Sequence, residues 1–575
     1  MRARPSIFSL SFLLPLLAGC ASAPSSSPTV SSVESRSYKG PPTTAAITPG
    51  DLKTRLFIFA DDSMRGRAAG TADNLRGAAY IARELARLGL EPAGDNGTYF
   101  QDVPLSSRTV AKDAGLTIGS RTFLPVTDFV PRDNGPGMRD IDGATAIYGG
   151  IWGDSANMIS PLSVAGKLVV LYAPSSGGWS INRSAANRRF ATAAGIAVIS
   201  LDRVTNQDRL SLVGGSVGPQ IDESAGVNPV PAFFYITDEL ARALFAGTAV
   251  NTLKPGASGV VVHGEAGYKP GKAFPGRNVV AILRGSDPQL RNEYVALGAH
   301  NDHLPVQPAA VDHDSLRAFN TVASPEGAET GVSQATPDQW VRIRAIRDSL
   351  RALRPPRRDS IMNGADDDGT GSMAVLEIAE AFAKSGARPK RSLLFVWHAG
   401  EEIGLVGSEY FTDHPTVPRD SIVTQLNIDM IGRGGSADAV HMNGSTPVYG
   451  NPNFVEVIGS RRLSTELGDI IDDVNRARPD PLSFSKVFDA SGDPYQMYCR
   501  SDHYNYARYG IPITFFFTSV HRDYHQVTDE PQYIDYNHYS RIVNLVHDAA
   551  ERVANLDHRP VVDKPKPDPK APCVT

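Results

Sequence analysis

This chain of 575 residues has few cysteines, no strong excess of one charge sign and no long apolar runs. The three cysteines are too few for a fold held together by a disulfide framework. The formal net charge is −5 with both signs mixed along the chain, which excludes an electrostatic footprint for nucleic acid. A hydrophobic fraction of 41% and a charged fraction of 21% are ordinary for a globular protein with a real core.

The apolar run near the start, from about residue 7 to residue 17, is too short to span a bilayer. It follows a basic start and ends in small residues, which is the pattern of an export signal. The sequence "LAGC" at residues 17–20 resembles the lipobox of bacterial lipoproteins, although an ordinary cleaved signal with an incidental cysteine would look similar. The resemblance implies that Cys20 is lipidated and anchors an exported protein to the bacterial cell envelope, and Ala21 favours the outer membrane. The sequence does not determine which face of the membrane the protein occupies.

The two remaining cysteines, Cys499 and Cys573, would lie in an oxidising compartment. They could pair, but Cys573 lies in a proline-rich tail, and the sequence leaves the pairing open. We expect that tail, residues 557–575, to be disordered. Residues 21–50 are rich in Ser, Pro and Thr and cannot bury enough apolar surface to fold, so they are predicted to form a disordered tether after a signal at 1–20.

A helix is predicted where order begins, since "NLRGAAYIARELARLGL" ends at Gly89 as a cap. The apolar stripe of this helix comprises Leu75, Ala78, Ala82, Leu85 and Leu88. The block at 111–269 then consists of short strand-like segments broken by Gly and Pro, without a cluster of ionisable residues. We therefore predict that it is a separate module.

Short apolar runs alternate with helical segments from about residue 270 onward, as in "EYVALGAH", "SLLFVWHAG", "VTQLNIDMIG" and "IPITFFFTS". Such alternation predicts an α/β domain with a mostly parallel central sheet flanked by helices. Residues 51–110 and 270–556 are assigned to this domain.

Ionisable residues follow the predicted strands at their carboxyl ends, where sites form in sheets of this type. They are His300, Asp302, Glu401, Glu402, Asp429, Tyr524 and His525, and the loop "NGADDDGTGS" adds three aspartates. Each piece alone could be a solvated turn or a helix N-cap. If these residues converge, the carboxylates among them repel one another and are costly to bury. Divalent metal ions remove that cost.

The ligand types favour zinc. Two imidazoles with carboxylates and no thiolate suit zinc with an open position. Two histidines for several carboxylates suggest two ions that share a bridging carboxylate and lie about 3.5–4 Å apart.

These motifs resemble the dinuclear zinc exopeptidases of metallopeptidase clan MH, which include bacterial leucyl aminopeptidase, aminopeptidase Y and glutamate carboxypeptidase II. The match runs through "GRNVVAILRGSDPQLRNEYVALGAHNDH", "GADDDGTGS", "HAGEEIGLVGSEYF", "NIDMIG", "SDHYNYARYGIPITFFFTS" and "YHQVTD". It implies a phosphorylase/hydrolase-like zinc exopeptidase fold. Through "AGKLVVLYAP", the block at 111–269 resembles a protease-associated (PA) domain, an insert thought to shape access to the cleft.

The resemblance also implies ligands for two Zn²⁺ ions. His300, Asp367 and Asp429 would hold one ion. Asp367, Glu402 and His525 would hold the other, with Asp367 bridging. Asp367 is assigned as the middle acid of its triplet because the ligand of this family precedes an acid and a glycine.

Three further roles follow from the same resemblance. Asp302 would accept the second ring N–H of His300 and fix its tautomer. Glu401 would stay unligated, take a proton from the attacking water and return it to the leaving amine, while its neighbour Glu402 ligates. Tyr524 would donate to the developing oxyanion.

One departure from the family pattern is the stretch at 305–363, where 59 residues separate two motifs that are usually close. Its segment "QWVRIRAIRDSLRAL" has an apolar stripe and is rich in arginine. The stripe comprises Trp340, Ile343, Ile346, Leu350 and Leu353, and five arginines lie between Arg342 and Arg354. The stretch could be a helix packed on the enzyme, a lid over the cleft or a basic face toward an anionic membrane.

The sequence thus predicts an exported, lipid-anchored dinuclear zinc exopeptidase, with an aminopeptidase of short peptides with a free N-terminus as the first expectation. A carboxypeptidase of the same family is the alternative, although no arginine pocket for a substrate carboxylate can be located. A glutaminyl-cyclase-like transferase, which works with one zinc, and a non-catalytic receptor-like module are the remaining rivals.

Overall fold

The structure is a computed structural model and describes residues 40–111, 113–132, 138–154, 156–174, 180–204, 217–221, 231–330, 334–353, 355–443, 446–571 and 573. Cys20 and Arg354 lie outside the described residues. No helix in these ranges is both long and apolar enough to cross a membrane.

Helices and strands alternate along most of the described chain. The helices are α1 (Pro49–Phe59), α2 (Ala72–Leu88), α3 (Arg183–Arg189), α4 (Asp238–Leu244), α5 (His313–Ala323), α6 (Pro337–Leu353), α7 (Gly371–Lys384), α8 (Val406–Asp413), α9 (Thr465–Arg476), α10 (His503–Ala507) and α11 (Tyr536–Ala554). The strands are β1 (Glu91–Pro92), β2 (Phe100–Asp102), β3 (Leu105–Val110), β4 (Gly115–Ile118), β5 (Arg121–Phe123), β6 (Phe129–Arg132), β7 (Met138–Asp140), β8 (Ala144–Ile151), β9 (Leu168–Tyr172), β10 (Gly195–Ile199), β11 (Val217–Ile221), β12 (Ala232–Ile236), β13 (Ser258–Phe274), β14 (Arg277–Leu283), β15 (Tyr294–His300), β16 (Val311–Asp312), β17 (Arg358–Asp359), β18 (Ser392–His398), β19 (Ile422–Ile428), β20 (Ala439–Asn443), β21 (Thr446–Tyr449), β22 (Phe454–Ile458), β23 (Ser483–Ser485) and β24 (Ile513–Phe517).

Nine of these strands form the central sheet, in the order β1-β14-β18-β15-β19-β24-β22-β23, with β2 also paired to β14. The central strands β18, β15, β19 and β24 are mutually parallel. The prediction of a mostly parallel sheet is wrong for the flanks, where β1, β2 and β18 each pair with β14 antiparallel, as β22 does with β24. Residues 284–293 link β14 to β15 without a helix, and a parallel pair needs a crossover of roughly a dozen residues or more.

Side chains alternate between the two faces of this sheet and feed two separate cores. On β18, Phe395 and Trp397 pack with α1, α2, α7 and α11, while Leu394 and Val396 pack with α8 and α10. Burial on both faces explains why the central strands are continuous apolar runs. The structure therefore confirms the coarser prediction of an α/β domain with helices on both faces of the sheet, and it shows a mixed sheet where a mostly parallel one was predicted.

Eleven strands of the described chain form a second sheet in the order β11-β3-β13-β8-β9-β10-β12-β6, with β4, β5 and β7 attached at its side. Along the chain, its first strand is β3 and its last is β13. The sheet therefore begins before residue 111 and ends after residue 269. The second sheet meets the part of the chain around the central sheet through Leu105 of β3, which shares an apolar cluster with Val406 and Ile403. That cluster lies directly after Glu401 and Glu402 in the sequence.

The predicted helix at the start of the fold is α2. Thr71 caps its first turn, and Gly89 ends it with φ 73°, a left-handed conformation that favours glycine. Of its predicted stripe, Ala78, Ala82 and Leu85 are buried. The remaining stripe residues, Leu75 and Leu88, are only partly buried at its margin.

The insertion at 305–363 packs on the part of the chain that forms the central sheet. Strands β16 and β17 pair antiparallel and close its base. Helix α5 carries the contacts to the site described below, whereas α6 is mostly exposed. Only Ile343 of the predicted α6 stripe is fully buried, and Trp340 and Leu353 are exposed. The packed-helix interpretation therefore fits α5 better than the arginine-rich helix for which it was made.

Both predicted disordered ends are more ordered than expected where the structure describes them. Thr43 donates to Glu380, so contacts begin before residue 50. The tail at 557–571 has no helix or strand, but Arg559 and Asp563 bind the domain surface. A disulfide joins Cys573 to Cys499 across 74 residues of sequence. Proline excludes regular structure from this tail, but side-chain contacts and the disulfide hold it in place.

Candidate metal centre

Three neighbouring parallel strands bring the predicted ligands to one edge of the central sheet. His300 is the last residue of β15, and Asp429 directly follows β19. On the other side of β15, β18 ends at His398 and a turn leads to Glu401 and Glu402. Because the carboxyl ends of parallel strands meet at the same edge, these side chains converge.

The three adjacent aspartates of the loop before α7 point in different directions and have different partners. Asp366 accepts from the Gly432 main-chain N–H at 2.7 Å, which fixes the turn after β19. Asp368 accepts from the main-chain N–H of His300 at 3.1 Å, which fixes the end of β15. Asp367 remains as the acid that faces the histidines of the site, as the motif predicted.

The first half of the site comprises His300, Asp367 and Asp429. His300 Nε2 lies 3.2 Å from Asp367 Oδ1 and 3.6 Å from Asp429 Oδ1. Ser501 donates to the other carboxylate oxygen of Asp429 at 2.8 Å, which orients Oδ1 toward the histidine. Both Asp429 and His300 are buried, so this half of the site is rigidly held by the sheet edge.

The second half lies on the opposite oxygen of Asp367. His525 Nε2 is 3.0 Å from both Asp367 Oδ2 and Glu402 Oε2. His303 also enters this half, with Nδ1 2.7 Å from Glu402 Oε1 and 3.7 Å from Asp367 Oδ2. It is placed to hold the Glu402 carboxylate so that Oε2 faces His525 and Asp367.

His303 is a residue that sequence reasoning missed. It closes the His-x-Asp-His motif, so the signal was visible, but nothing in the sequence shows that its ring turns back toward Glu402. The main chain of Gly364 packs against this ring, and a Cβ at Gly364 would lie 2.5 Å from His303 Cγ. The close approach of that loop fixes the ring orientation.

The arrangement fits divalent metal ions. Buried atoms of this site that have no hydrogen-bond partner within the described residues include His300 Nε2, Asp429 Oδ1 and His303 Nε2. Two groups of three residues each place a ligand atom within 4.8 Å of one another, His300 with Asp367 and Asp429, and His303 with Asp367 and Glu402. Ligand atoms about 2.0 Å from a tetrahedral zinc are roughly 3.3 Å apart, close to the spacings in both halves.

Asp302 orients its neighbours differently from the prediction. Its main-chain oxygen, not its carboxylate, lies 3.1 Å from His300 Nδ1. The carboxylate Oδ1 is 3.6 Å from that nitrogen and instead accepts from the main-chain N–H of Glu401 at 3.1 Å. The acceptor was wrong because the chain folds back after β15, which turns the carboxylate toward the Glu401 turn. Asp302 thus links His300 to Glu401.

Glu401 and Glu402 reach one site from adjacent positions because they lie in a tight turn after β18. Gly400 begins the turn with φ 77°, and a Cβ there would lie 2.4 Å from Val406 Cγ2. The turn directs Glu402 to the second half of the site and places Glu401 in the lining of the adjoining cavity. Burial raises the pKa of Glu401 well above its usual range; His300 opposes this shift, and the charge of Asp429 adds to it.

Asp367 and His525 shift each other's pKa values in opposite directions. Burial opposes ionisation of Asp367, yet the hydrogen bond with His300 and the charge of His303 hold its pKa well below the usual range. Burial likewise opposes the charged form of His525, and hydrogen bonds to Asp367 and Glu402 raise its pKa to about 10. Without metal, the raised pKa values of His300 and His525 therefore let these two histidines balance the carboxylates as cations.

A cavity opens beside Glu401, and its wall combines ionisable and apolar residues. The lining comprises Asp367, Glu401, Asp429, Met430, Met497, Arg500, Ser501, Phe515, Phe517, Val520, Tyr524 and His525. The Tyr524 ring stacks on His525 with centroids 3.9 Å apart, and its hydroxyl accepts from Arg500 Nη2 at 3.2 Å. Arg500 was also missed, although it directly precedes the "SDHYNY" motif.

Two further residues of that motif support the site. Asp502 Oδ2 lies 3.3 Å from His398 Nδ1, and both side chains are buried behind the Glu401 turn. His503 Nε2 lies 2.8 Å from the Tyr498 main-chain oxygen, and its ring stacks on Phe515 with centroids 4.5 Å apart. Burial lowers the pKa of His503 to about 3, so it stays neutral and serves packing.

Comparison with known families places this site in a recognised context. The sequence model of peptidase family M28 matches residues 328–550, the segment that contains Asp367, both adjacent glutamates, Asp429 and His525. The chain is 44% identical over 77 residues to leupeptin-inactivating enzyme 1 of Streptomyces exfoliatus, which covers 13% of this chain and 18% of that enzyme.

The chain is also 28% identical over 230 residues to an aminopeptidase of Pseudomonas aeruginosa strain UCBPP-PA14, covering 39% of each chain. The aligned segments thus span less than half the length of these curated relatives. Among solved structures, the aminopeptidase from Aneurinibacillus sp. strain AM-1 aligns at 16% identity and a TM-score of 0.44 over 91% of this chain and 97% of that one. BSAP, a zinc aminopeptidase from Bacillus subtilis, aligns at 14% identity and a TM-score of 0.42, over 88% and 95% of the two chains.

Proposed function

We propose that the protein is a metal-dependent aminopeptidase of the M28 type that hydrolyses the N-terminal residues of short peptides. The observation that carries this proposal is the pair of half-sites on the two oxygens of Asp367, with Glu401 beside them in a cavity. The sequence matches to peptidase family M28 and to an aminopeptidase support the same reaction.

Two zinc ions are the cofactors that the ligand set suits. His300, Asp367 and Asp429 would hold one, and Asp367, Glu402 and His525 the other. Bound zinc would polarise the scissile carbonyl and make a water molecule easier to deprotonate at neutral pH. A glutaminyl-cyclase-like site with one zinc would leave one half of this ligand set unused.

Protein groups around the cavity would then carry the proton transfers. Glu401 accepts a proton from the attacking water as its oxygen adds to the peptide carbonyl carbon. As the C–N bond breaks, Glu401 returns that proton to the leaving nitrogen. Asp302 accepts from the main-chain N–H of Glu401 and so holds the turn on which this carboxylate sits.

Tyr524 is the proposed donor to the oxyanion. Its hydroxyl lies in the cavity wall, and Arg500 donates to its oxygen, which leaves its own proton to be donated. The carboxylates of the site would attract the free ammonium of the substrate, as an aminopeptidase requires.

The test uses a soluble form that begins near residue 30. Aminoacyl-p-nitroanilides, N-blocked peptides and peptides with C-terminal glutamate are compared while zinc content is measured. Hydrolysis of the free-amine substrates, abolished by a chelator and restored by about two equivalents of zinc, is expected. Activity confined to blocked peptides would contradict the proposal.

A carboxypeptidase is the second candidate, because Arg500 in the cavity wall is the kind of group that binds a substrate carboxylate. However, Arg500 already donates to Glu329 at 2.9 Å and to Tyr524 at 3.2 Å. An arginine with both partners in place is a poor site for a further carboxylate, which favours the aminopeptidase.

The proposal includes attachment to the bacterial envelope through lipid on Cys20, and "LAGC" is its support. Cys20→Ala should move the protein from the membrane fraction to the soluble fraction and abolish incorporation of labelled palmitate. Cys573→Ala is the matched control and should leave both unchanged. Continued labelling of the Cys20→Ala variant would contradict the anchor.

Residues 111–269 are proposed to act as a protease-associated module that limits substrate size. The apolar cluster that Ile221 of this block shares with Leu105 and with Ile403 beside the glutamate turn supports this role. Activity should therefore fall steeply as peptides of increasing length are compared. Equal rates for a tripeptide and a twenty-residue peptide would contradict a limiting module.

A further inference from the structure

The insertion at 305–363 is fastened to the loop that carries Tyr524 and His525. Arg317 of α5 donates to Asp523 at 2.6 Å, and Asn320 donates to the main-chain oxygen of Arg522 at 2.9 Å. These contacts place a segment that the family pattern lacks directly behind the proposed ligand His525.

A short helical turn, Gly327–Thr330, brings the insertion closest to the cavity. The main-chain N–H of Ala328 donates to the main-chain oxygen of Tyr524 at 3.1 Å. Gly327 has φ 57°, and a Cβ there would lie 2.5 Å from that same oxygen. The turn is therefore fixed by close backbone contact, and its side chains have defined positions relative to the cavity.

One of those side chains, Glu329, pairs with a cation of the cavity wall. Glu329 Oε2 accepts from Arg500 Nη2 at 2.9 Å, and the same Nη2 lies 3.2 Å from the Tyr524 hydroxyl. Arg500 lines the cavity, whereas Glu329 does not. The carboxylate therefore pairs with the guanidinium from outside the set of residues that line the cavity.

The rest of the cavity wall suits an apolar side chain. Met430, Met497, Phe515, Phe517 and Val520 all line it. An uncompensated guanidinium among these groups would attract an acidic side chain, because charges a few ångströms apart interact strongly where water is partly excluded. A guanidinium whose charge is neutralised by a paired carboxylate would not attract an acidic side chain.

We propose that Glu329 sets the substrate preference of the cavity by neutralising Arg500, so that apolar first residues are favoured over acidic ones. This inference rests on the proposed aminopeptidase function and adds a specificity-determining residue to it. Glu329 acts through Arg500 and does not itself touch the substrate. The insertion is then a built part of the specificity pocket.

A second carboxylate beside the same turn provides the control. Glu326, which directly precedes the turn, accepts from the Tyr495 hydroxyl at 2.7 Å and makes no hydrogen bond or ion pair with Arg500 within the described residues. Glu326→Gln therefore removes one negative charge beside the same turn without removing the partner of the guanidinium. Glu329→Asp keeps the charge at 329 and serves as the rescue variant.

The experiment compares leucyl- and glutamyl-p-nitroanilide in the zinc-loaded wild type, Glu329→Gln, Glu326→Gln and Glu329→Asp. We expect the glutamyl-to-leucyl ratio of kcat/KM to rise at least about tenfold in Glu329→Gln, mainly through a lower KM for the glutamyl substrate. The other two variants should stay within about twofold of the wild-type ratio. Zinc content and Tm are measured for each, and Glu329→Ala replaces the amide variant if that one does not fold.

Calorimetric titration with L-glutamate and L-leucine gives a second readout that needs no turnover. Glutamate should bind at least about tenfold more tightly to Glu329→Gln than to wild type, with leucine unchanged. An unchanged glutamyl-to-leucyl ratio and unchanged glutamate binding in a folded, zinc-loaded variant would overturn the inference. If the wild type hydrolyses neither substrate, the proposed function fails, and the titration alone decides the role of Glu329.

Discussion

The two halves of the candidate metal centre are built in different ways, although they share Asp367. The half with His300 and Asp429 is made from strand ends, so the hydrogen bonds of the sheet position it. The half with Glu402 and His525 combines a turn with a loop held by the insertion at 305–363. A sheet edge can be recognised from alternating apolar runs, whereas a half-site on loops depends on how distant segments dock.

Loss of the shared acid should remove the difference between the halves by disabling both. Asp367→Asn keeps the side-chain size but replaces one ligating carboxylate oxygen with an amide NH2 group, which cannot ligate, and removes the negative charge. We expect kcat/KM for a leucyl substrate to fall at least about a thousandfold and bound zinc to fall below one equivalent, as measured by elemental analysis.

Asp469→Asn is the matched control, because Asp469 is exposed and forms an ion pair with the surface residue Arg461. It should keep full activity and zinc. Two equivalents of zinc retained by Asp367→Asn would show that this acid does not bridge the halves.

The proton transfer should be separable from metal binding in both halves. Glu401→Gln removes the proposed base while both halves keep their ligands, so we expect kcat to fall about a hundredfold to ten-thousandfold with zinc content unchanged. The measurement pairs initial rates with elemental analysis.

Glu239→Gln makes the same chemical change on an exposed residue of helix α4 and should leave kcat unchanged. Wild-type turnover by Glu401→Gln would remove this residue from the mechanism.

His303 and His525 offer a graded test of the second half alone. His525→Ala removes a proposed ligand and should abolish binding of the second zinc ion. His303→Ala removes the group that holds Glu402 Oε1 and should weaken that zinc by about tenfold to a hundredfold, with the first zinc unaffected. Titration of the apoprotein against a chromophoric chelator resolves the two ions, and equal losses in both variants would contradict this ranking.

A buried carboxyl group remote from both halves should affect stability and leave the site intact. Burial raises the pKa of Glu456 to about 7, and Ser485 donates to it. Because the pKa is higher in the folded state, the stabilisation is complete below the unfolded pKa near 4.5 and is lost as pH rises through about 7.

The wild type should therefore lose up to about 3 kcal/mol of unfolding free energy across that window relative to Glu456→Gln. Denaturant unfolding at pH 4.5 and pH 8 measures this difference. Parallel pH profiles for the two proteins would contradict the assignment.

The contrast between the halves also explains which features could be predicted from sequence. The α/β class, the convergence of His300, Asp367 and Asp429 and the turn that carries Glu401 all follow from strand ends and motif order. The antiparallel β14 was missed because its pairing depends on a short link. His303, Arg500 and the true acceptor of the His300 ring were missed because they depend on side-chain direction and on contacts across long stretches of sequence.

The most direct test of the account is zinc titration of the apoprotein with parallel assay of leucyl-p-nitroanilide hydrolysis. We predict that activity appears only as the second equivalent binds, because both oxygens of Asp367 must be engaged before Glu401 and the substrate carbonyl are correctly placed. Full activity at one equivalent, or two bound equivalents without hydrolysis of any free-amine substrate, would contradict a dinuclear aminopeptidase.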